Sequence, residues 1–410
     1  AAVATAQADS EGLLSDLTCL TVRRLLQRAL EAEVDDYLGR DYYGRGQRLH
    51  PGSRNGYEPA HVTTAEGRLD LAAPQVRGTS GRYRSRLRER LPDFSEGLRR
   101  LGLEAYVRGL STRDVAETFR DRQGNCLLSK DAVTEISAEL TAEYEAFQGR
   151  SLAAYDVAYL FVDGVYESLR KQAECKEAVL VAWAILADGR KLLLSLGLGN
   201  RESQDAWRDF FRDLIKRGLR CPLLVVSDGC PGLVAAVNEV FAKCRRQRCI
   251  VHKLRNIANK LPRQLGPAIL ADFKAIFYAS DRAAADVLVK GVVAKHQATY
   301  PAAVKCLLDD LDACLAHLEF PESQRRFIRT TNLLERAFVE QRRRTKIIPG
   351  FFTEPSCVKL VFGTLIRVSE HWRRVKMTPL ELSLLRQIRK LMGGDEKSQF
   401  LSFDSFRIAA

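Results

Sequence analysis

Three acidic residues form the pattern in this sequence that could do chemistry. Asp163 follows the apolar run AYLFV (158–162) and precedes Gly164, and Asp228 follows PLLVVS (222–227) and precedes Gly229. Short apolar runs that stop at Asp-Gly read as buried strands ending in a turn. In open α/β sheets, sites gather at the carboxyl ends of strands. Carboxylates brought together there need a countercharge, because like charges a few Å apart ionise together only at high cost. Hard divalent ions supply it through oxygen ligands, so the expected cofactor is Mg²⁺, two ions per site, with Mn²⁺ able to substitute. Ions about 3.5–4 Å apart would activate an attacking hydroxyl and stabilise the leaving oxygen of an in-line phosphoryl transfer. A third acid must complete the set from a helix lying across the sheet. Glu335, in TTNLLER (330–336), is the candidate, with Asn332 three residues earlier on the same helix face. Taken singly, each Asp reads as a turn residue and Glu335 as a surface acid paired with a local Arg. The case rests on their combination.

The elements that must position these acids can be read from periodicity. After the first strand come VLVAWAILA (179–187) and KLLLSLGLG (191–199) around Asp188-Gly189-Arg190, which predicts a hairpin. A helix is expected over about 203–217, a strand at 222–227, a helix from Pro231, and a short strand at 248–252. Residues 253–325 read as helix without strand, 330–345 as a strongly basic helix, and 358–372 as another helix. Hairpin-linked strands, a helix, a parallel strand and acids at strand ends are the order of a ribonuclease-H-like α/β core. Ahead of this core, 11–40 reads as a helix and 44–58 as a break. Two short strands then turn at Glu66-Gly67, followed by the Arg-rich run 77–90. Residues 95–148 read as three helices, with a capping box at Ser111–Asp114 and a cap at Ser129. The helices on either side of Gly124-Asn125 have the outline of a helix-turn-helix.

Charge says which partner to expect. Lys plus Arg number 64 against 51 Asp plus Glu, a net +13 with 46% hydrophobic residues, which excludes wholesale disorder and favours a polyanion such as double-stranded DNA. Arg82, Arg84 and Arg86 in the basic run, Arg113 and Lys130 in the helical segment, and Arg255, Arg336, Arg342, Arg343, Arg344 and Lys346 near the acids are the candidate DNA contacts. No apolar run is long enough to span a bilayer, and the start of the chain does not read as a signal peptide, so no membrane partner is expected. Ten scattered cysteines without any CxxC suit reduced thiols in the cytoplasm. Cys249 and His252 have the spacing of half a zinc site, but Cys314 with His317 offers only a distant, reversed partner. Support of the active site is the favoured role, with zinc ligation left open. Asn256 beside Arg255 could position a phosphate. Trp183, Trp207 and Trp372 read as core, the last two in helices, and Glu202 as a rim acid.

Read together, these segments resemble the bacterial insertion-sequence transposases of the mutator family, which carry a DDE triad. The resemblance covers about residues 20–380. It rests on SRNGYEP (53–59), YVRGLSTRDVAETF (106–119), FVDGVY (161–166), VVSDGCPGLVAAV (225–237), QRCIVHKLRNI (247–257), TTNLLERAFVEQRRRTK (330–346) and SEHW (369–372). It implies Asp163, Asp228 and Glu335 as the catalytic, metal-holding acids, with Cys249, His252 and Asn332 in support. It also implies an all-helical insertion in the long interval between Asp228 and Glu335. The expected organisation is an N-terminal helical, dimerising and basic hairpin region (1–94) and a helix-turn-helix-like domain (95–150). The core follows in two parts (151–258 and 328–410), separated by the insertion (259–327). The implied activity is binding of terminal inverted repeats, metal-dependent strand cleavage and strand transfer, by a copy-out paste-in route. A homodimer pairing two ends is implied, in the cytoplasm and on the nucleoid when DNA-bound. Residues alone do not separate copy-out from cut-and-paste. Glu167 and Gln75 depart from the pattern, and neither removes an acid. Two rivals are a DNA-binding regulator that has lost transposition, disfavoured by the intact triad, and a nuclease of the same fold acting on RNA or junctions, disfavoured by the long N-terminal region.

Overall fold

The computed structural model describes residues 2–39, 52–121, 123–168, 176–199, 203–264, 266–346 and 353–392. Glu202 lies outside the described residues. The chain divides into two compact units, 1–141 and 142–410.

In the first unit, α1 (Ala2–Leu38) lies on a hairpin of β1 (Ser53–Thr64) and β2 (Gly67–Arg77). Leu30 meets Ala60, Val62, Leu71 and Ala73 in one buried cluster, the inward residues alternating along each strand as a half-buried sheet requires. Earlier on α1 the leucines face solvent: Leu13, Leu14, Leu17, Leu20 and Leu25 are all about half exposed or more. The strands are longer than expected. Residues 53–58 open β1 rather than a loop, because a bulge between Arg54 and Tyr57 absorbs Asn55-Gly56. Thr64 pairs with Gly67, so the turn falls at Ala65-Glu66 and not at Glu66-Gly67. Gln75, one departure from the family pattern, donates to Glu58 across the hairpin. The Arg-rich run is tied to α1, where Tyr83 packs against Tyr37. Ser85 caps α2 (Arg86–Arg90), and Glu33 of α1 accepts from both the Ser85 hydroxyl and the Arg86 amide.

Three further helices follow: α3 (Glu96–Val107), α4 (Thr112–Thr118) and α5 (Lys130–Gly149). The capping box at Ser111–Asp114 is formed, and Ser129 accepts from the Ala132 amide. The short helix–helix turn, residues 108–111 with Gly109 in it, joins α3 to α4. The connection from α4 to α5 is a longer loop in which Asp121 accepts from the amides of Gln123 and Asn125.

The second unit is a mixed α/β structure around a five-stranded sheet of order β5-β4-β3-β6-β7. β3 (Val157–Ser168), β4 (Lys176–Leu186) and β5 (Lys191–Gly199) are antiparallel, whereas β6 (Leu224–Ser227) and β7 (Arg245–Arg248) run parallel to β3. Two helices, α6 (Gln204–Lys216) and α7 (Pro231–Val240), cover one face. Their Trp207, Phe211, Leu214, Leu233 and Val237 pack with Leu160, Val162, Leu180 and Ala182. Side chains alternate across a strand, so Tyr159, Phe161 and Asp163 point to the opposite face.

Beyond β7 no strand occurs among the described residues. Instead of one continuous helix, short helices follow: α8 (Ile250–Ala258), α9 (Gly266–Phe277), α10 (Arg282–His296), α11 (Pro301–Leu308), α12 (Leu311–Leu315) and α13 (Glu322–Ile328). Asp281 caps α10 and Pro301 starts α11, which sets those breaks. This segment buries its own cluster, including Ile257, Phe273, Phe277, Val304 and Leu307. The chain continues through α14 (Asn332–Thr345), α15 (Glu354–Glu370) and α16 (Pro379–Leu391). No helix among the described residues is long and apolar enough to cross a membrane.

Gln247 of β7 binds the helical segment to the sheet. Its side chain donates to the Cys314 carbonyl and accepts from the His317 amide. The His317 ring is buried, and its Nδ1 faces two acceptors, Gln247 Oε1 and Cys314 O, so Nδ1 carries the proton. Burial pushes its pKa down to about 4 from the ordinary 6.5. The folded state therefore holds a neutral ring that the unfolded chain protonates below about pH 6.5. Stability present above that pH is lost as pH falls toward 4, by about 3 kcal/mol. Urea unfolding at pH 7 and pH 4.5 will show this loss, and His317→Gln will remove that increment of pH dependence.

Candidate active site

Parallel register leads the first two acids toward the same edge of the sheet. Tyr159 is level with Leu224 and Phe161 with Val226; continuing the same offset by two residues brings Asp163 level with Asp228. β6 stops at Ser227, so Asp228 stands at a strand end as expected. Asp163 does not: β3 continues to Ser168, because its antiparallel partner β4 pairs onward from Asp163↔Val181 to Ser168↔Lys176. The carboxyl edge of the sheet at β3 is thus defined by where its parallel neighbour ends. Both carboxylates are held by backbone: Asp163 Oδ1 accepts from the Gly164 amide at 2.9 Å, and Asp228 Oδ1 from Cys230 at 2.9 Å. Gly229 has φ +86°, and a Cβ there would lie 2.5 Å from Arg248 Nη1. The Arg248 guanidinium therefore packs directly over the residue after Asp228, held by Asp310 at 2.7 Å. Sequence reading missed Arg248. Its cue, a basic residue closing the strand beside the second acid's strand, has meaning only once β6 and β7 are paired.

The Cys-x-x-His segment joins the second acid's strand to the third acid's helix. It is not a strand. β7 ends at Arg248, and Cys249 precedes α8, whose first turn closes through Lys253 N to Cys249 O. The apolar Cys-Ile-Val run reads as a strand because Cys249 and Ile250 are both fully buried at the end of β7. Cys249 N donates to Ser227 O at 2.7 Å, and Ile250 N to Arg329 O at 3.0 Å. The Thr331 amide, just before α14, donates to Cys249 Sγ at 3.3 Å. α14 then packs along β3. Glu167 accepts from Gln341 and from Thr345 of α14, so the family departure at Glu167 acquires a partner on the third acid's helix.

The result is a cluster. Glu335 lies in the first turn of α14, and its Oε1 is 3.6 Å from His252 Nε2. His252 has a raised pKa, first through its contact with the Cys249 thiol, against burial, and then through the negative field of Cys249, Asp163 and Glu335. His252 Nδ1 is buried without a hydrogen bond of good geometry, so the thiol contact is a close approach rather than a full bond. Burial acts most strongly to raise the Cys249 pKa, but contacts from His252 and Thr331 outweigh it and leave it lowered. Asn332 and Glu335 line the same cleft, together with Arg336 and Trp372.

No three His, Cys, Asp or Glu side chains among the described residues converge closely enough to enclose one ion. Cys314 and His317 face Gln247 and the helical cluster. Mg²⁺ asks less of a protein. It keeps several waters and takes one or two carboxylates plus substrate phosphates, and carboxylates at one sheet edge fit that requirement.

The candidate DNA contacts divide. In the first unit Arg82, Arg84, Arg86, Arg113 and Lys130 are exposed. In the second, Arg255, Arg336, Arg342, Arg343 and Lys346 are exposed; Arg343 and the half-buried Arg344 both pair with Glu340. Trp183 and Trp207 are fully buried, as read from sequence. Trp372 is different: it lies past the end of α15, half-buried at the cleft.

Known proteins match this sequence along most of its length. A family model described as Transposase, Mutator family, matches residues 2–375. The transposase for insertion sequence element ISRM5 of Rhizobium meliloti (strain 1021) is 34% identical over 373 residues, 90% of this chain and 92% of that protein. The transposase for IS6120 of Mycolicibacterium smegmatis is 36% identical over 282 residues, covering 68% and 87%. The transposase for IS256 in transposon Tn4001 of Staphylococcus aureus is 30% identical over 353 residues, covering 85% and 89%. A match that runs from α1 past α15, with these relatives covered over 87–92% of their length, places this chain in the Mutator family of transposases.

Proposed function

We propose that this chain is a DNA transposase that binds terminal inverted repeats and cuts and joins DNA at Asp163, Asp228 and Glu335. The observation that carries the reading is the parallel register of β3 and β6, which leads Asp163 and Asp228 toward one edge of the sheet, with Glu335 3.6 Å from His252. The sheet order, with three antiparallel strands followed by two parallel ones, supports a ribonuclease-H-like core, and the helical segment between β7 and α14 supports an insertion in it. The three carboxylates would hold Mg²⁺, or Mn²⁺ in its place, two ions per site, and the metal would activate the attacking oxygen and stabilise the leaving one. The protein's own share is orientation. Backbone amides fix one oxygen of each Asp, and the Cys249–Thr331 clip fixes the start of α14. Water would free a 3′-OH at the element's end, and that hydroxyl would attack a second phosphodiester with no covalent enzyme intermediate. A copy-out paste-in route is part of this reading, as is a homodimer that buries the exposed leucines of α1. So is action in the cytoplasm, on the nucleoid. The intact acid cluster counts against a purely regulatory DNA-binding protein.

Incubation of the protein and Mg²⁺ with duplexes that carry the inverted repeats flanking its coding sequence tests the reading. Nicks at the repeat ends that expose 3′-OH groups are expected; cutting indifferent to the repeats would indicate a general nuclease. Salt gives a second measurement. Exposed arginines that contact phosphates release counterions on binding, so affinity for end DNA falls steeply between 50 and 200 mM salt. Arg82→Ala combined with Arg84→Ala is expected to flatten the log–log slope by roughly 1–2.

A further inference from the structure

We propose that the cleft between the start of α14 and the end of α15 is a nucleobase pocket. In it Trp372 stacks on a base turned out of the duplex beside the scissile phosphate. The proposal rests on the transposase reading and assigns a ligand to a surface beside its acids.

The cleft has a volume of about 450 Å³ and is lined by Asn332, Glu335, Arg336, Val339, Val368 and Trp372 among others. That lies in the range of pockets that take small planar ligands, roughly 300–1,000 Å³. One wall is a catalytic acid, one a cation, one an aromatic ring. The ring is held from below. Trp183, fully buried in β4, lies under Trp372 with ring centroids 4.1 Å apart and planes 37° from parallel. Trp183 is paired with Phe161, and Asp163 is two residues further along β3 on the same face. Diagonal neighbours of this kind sit about 7–8 Å apart. Trp372 therefore covers the acid-bearing face of the sheet, next to where a scissile phosphate must lie.

Its position is fixed by backbone. The Trp372 amide donates to Ser369 O at 3.2 Å, and the Val375 amide donates to Gly189 O at 2.9 Å in the β4–β5 turn. Between these two anchors Arg373 and Arg374 are exposed. Trp372 is partly buried; its remaining surface lines the cleft beside Arg336, and the exposed Arg373 and Arg374 follow it directly in the chain. An aromatic face flanked by free cations is the pattern by which proteins hold unpaired nucleotides, the ring taking the base and the cations its phosphates. A base inside an intact duplex cannot offer its face, so the nucleotide must be extruded. Extrusion would also bare the neighbouring phosphodiester to the acids.

Two readouts test the pocket. With unsubstituted DNA, Trp372→Leu is expected to cut ends on the order of 10- to 100-fold more slowly, the scale of one lost base–aromatic stack. Trp372→Phe, which keeps a ring over Trp183, retains most activity and controls for folding. Ends carrying an abasic nucleotide at successive positions around the cut site locate the extruded base. At one position the Trp372→Leu defect shrinks to less than about threefold, because nothing remains to be held. A defect of equal size at every position would overturn the proposal. The second readout needs no cutting. In an Asp228→Asn background, ends with 2-aminopurine at that position differ in fluorescence between the complexes with and without Trp372, since the ring that stacks on the extruded base is gone. Equal fluorescence with and without Trp372 would overturn the base pocket alone. Failure of the unsubstituted protein to cut any end would count against the transposase chemistry instead.

Discussion

Asp228→Asn binds end DNA with nearly unchanged affinity and cuts it at least about 10³-fold more slowly. The binding half follows from local structure. Asp228 Oδ1 accepts the Cys230 amide, and an Asn oxygen accepts that bond equally well, so the turn that starts α7 persists. The exposed arginines of the first unit are untouched. The cutting half follows from charge. An amide oxygen is a poor ligand for a hard divalent ion beside another carboxylate, and loss of metal-held charge stabilisation costs several kcal/mol at the transition state. Asp163→Asn and Glu335→Gln are expected to behave alike. Glu335→Gln has one further signature. His252 loses one of the negative neighbours that raise its pKa, so NMR titration of its ring shifts to lower pH. Gel-shift affinity and single-turnover cleavage on the same labelled ends separate binding from cutting.

Gly189→Ala destabilises the second unit by about 2–4 kcal/mol and dislodges Trp372. Gly189 has φ +85°, a conformation that costs an L residue about 1–2 kcal/mol. A Cβ there would sit 2.0 Å from the Val375 carbonyl oxygen, so the two backbones must part. Parting them endangers the Val375–Gly189 hydrogen bond, worth about 1 kcal/mol more. Urea denaturation gives the stability change. Because residues 372–375 lose an anchor while the three acids keep theirs, cutting should also fall under conditions where the variant is still folded. A variant of unchanged stability would mean that this strap is not held as described.

Legibility followed how local each signal was. The hairpin of β4 and β5 was plain because Asp188-Gly189-Arg190 separates two apolar runs, and α6 was plain from its alternation of charged and apolar residues. The α14 motif marked its helix because Asn332 and Glu335, three residues apart, share one face. What failed depended on partners distant in sequence. β3 runs past Asp163 because β4 continues to pair with it, which no local pattern around Asp163-Gly164 announces. Cys249–His252 looked like a strand because Cys249 and Ile250 are fully buried, tied to β6 and to the segment before α14. Arg248 and Trp372 gain their interest from Gly229 and Trp183, residues far away in sequence or unremarkable in type. The basic tract 342–346 read as a uniform phosphate-facing surface, yet Glu340 on the previous turn engages two of its arginines.

The central claim is that Asp163, Asp228 and Glu335 act together on metal at one DNA end. Mn²⁺ binding to the protein–end DNA complex, followed by the loss of the free-ion electron paramagnetic resonance signal, tests it without any cleavage step. Two ions per active site are predicted for the unsubstituted protein, with at least one lost in each of Asp163→Asn, Asp228→Asn and Glu335→Gln. The same stoichiometry in all four proteins would contradict the account.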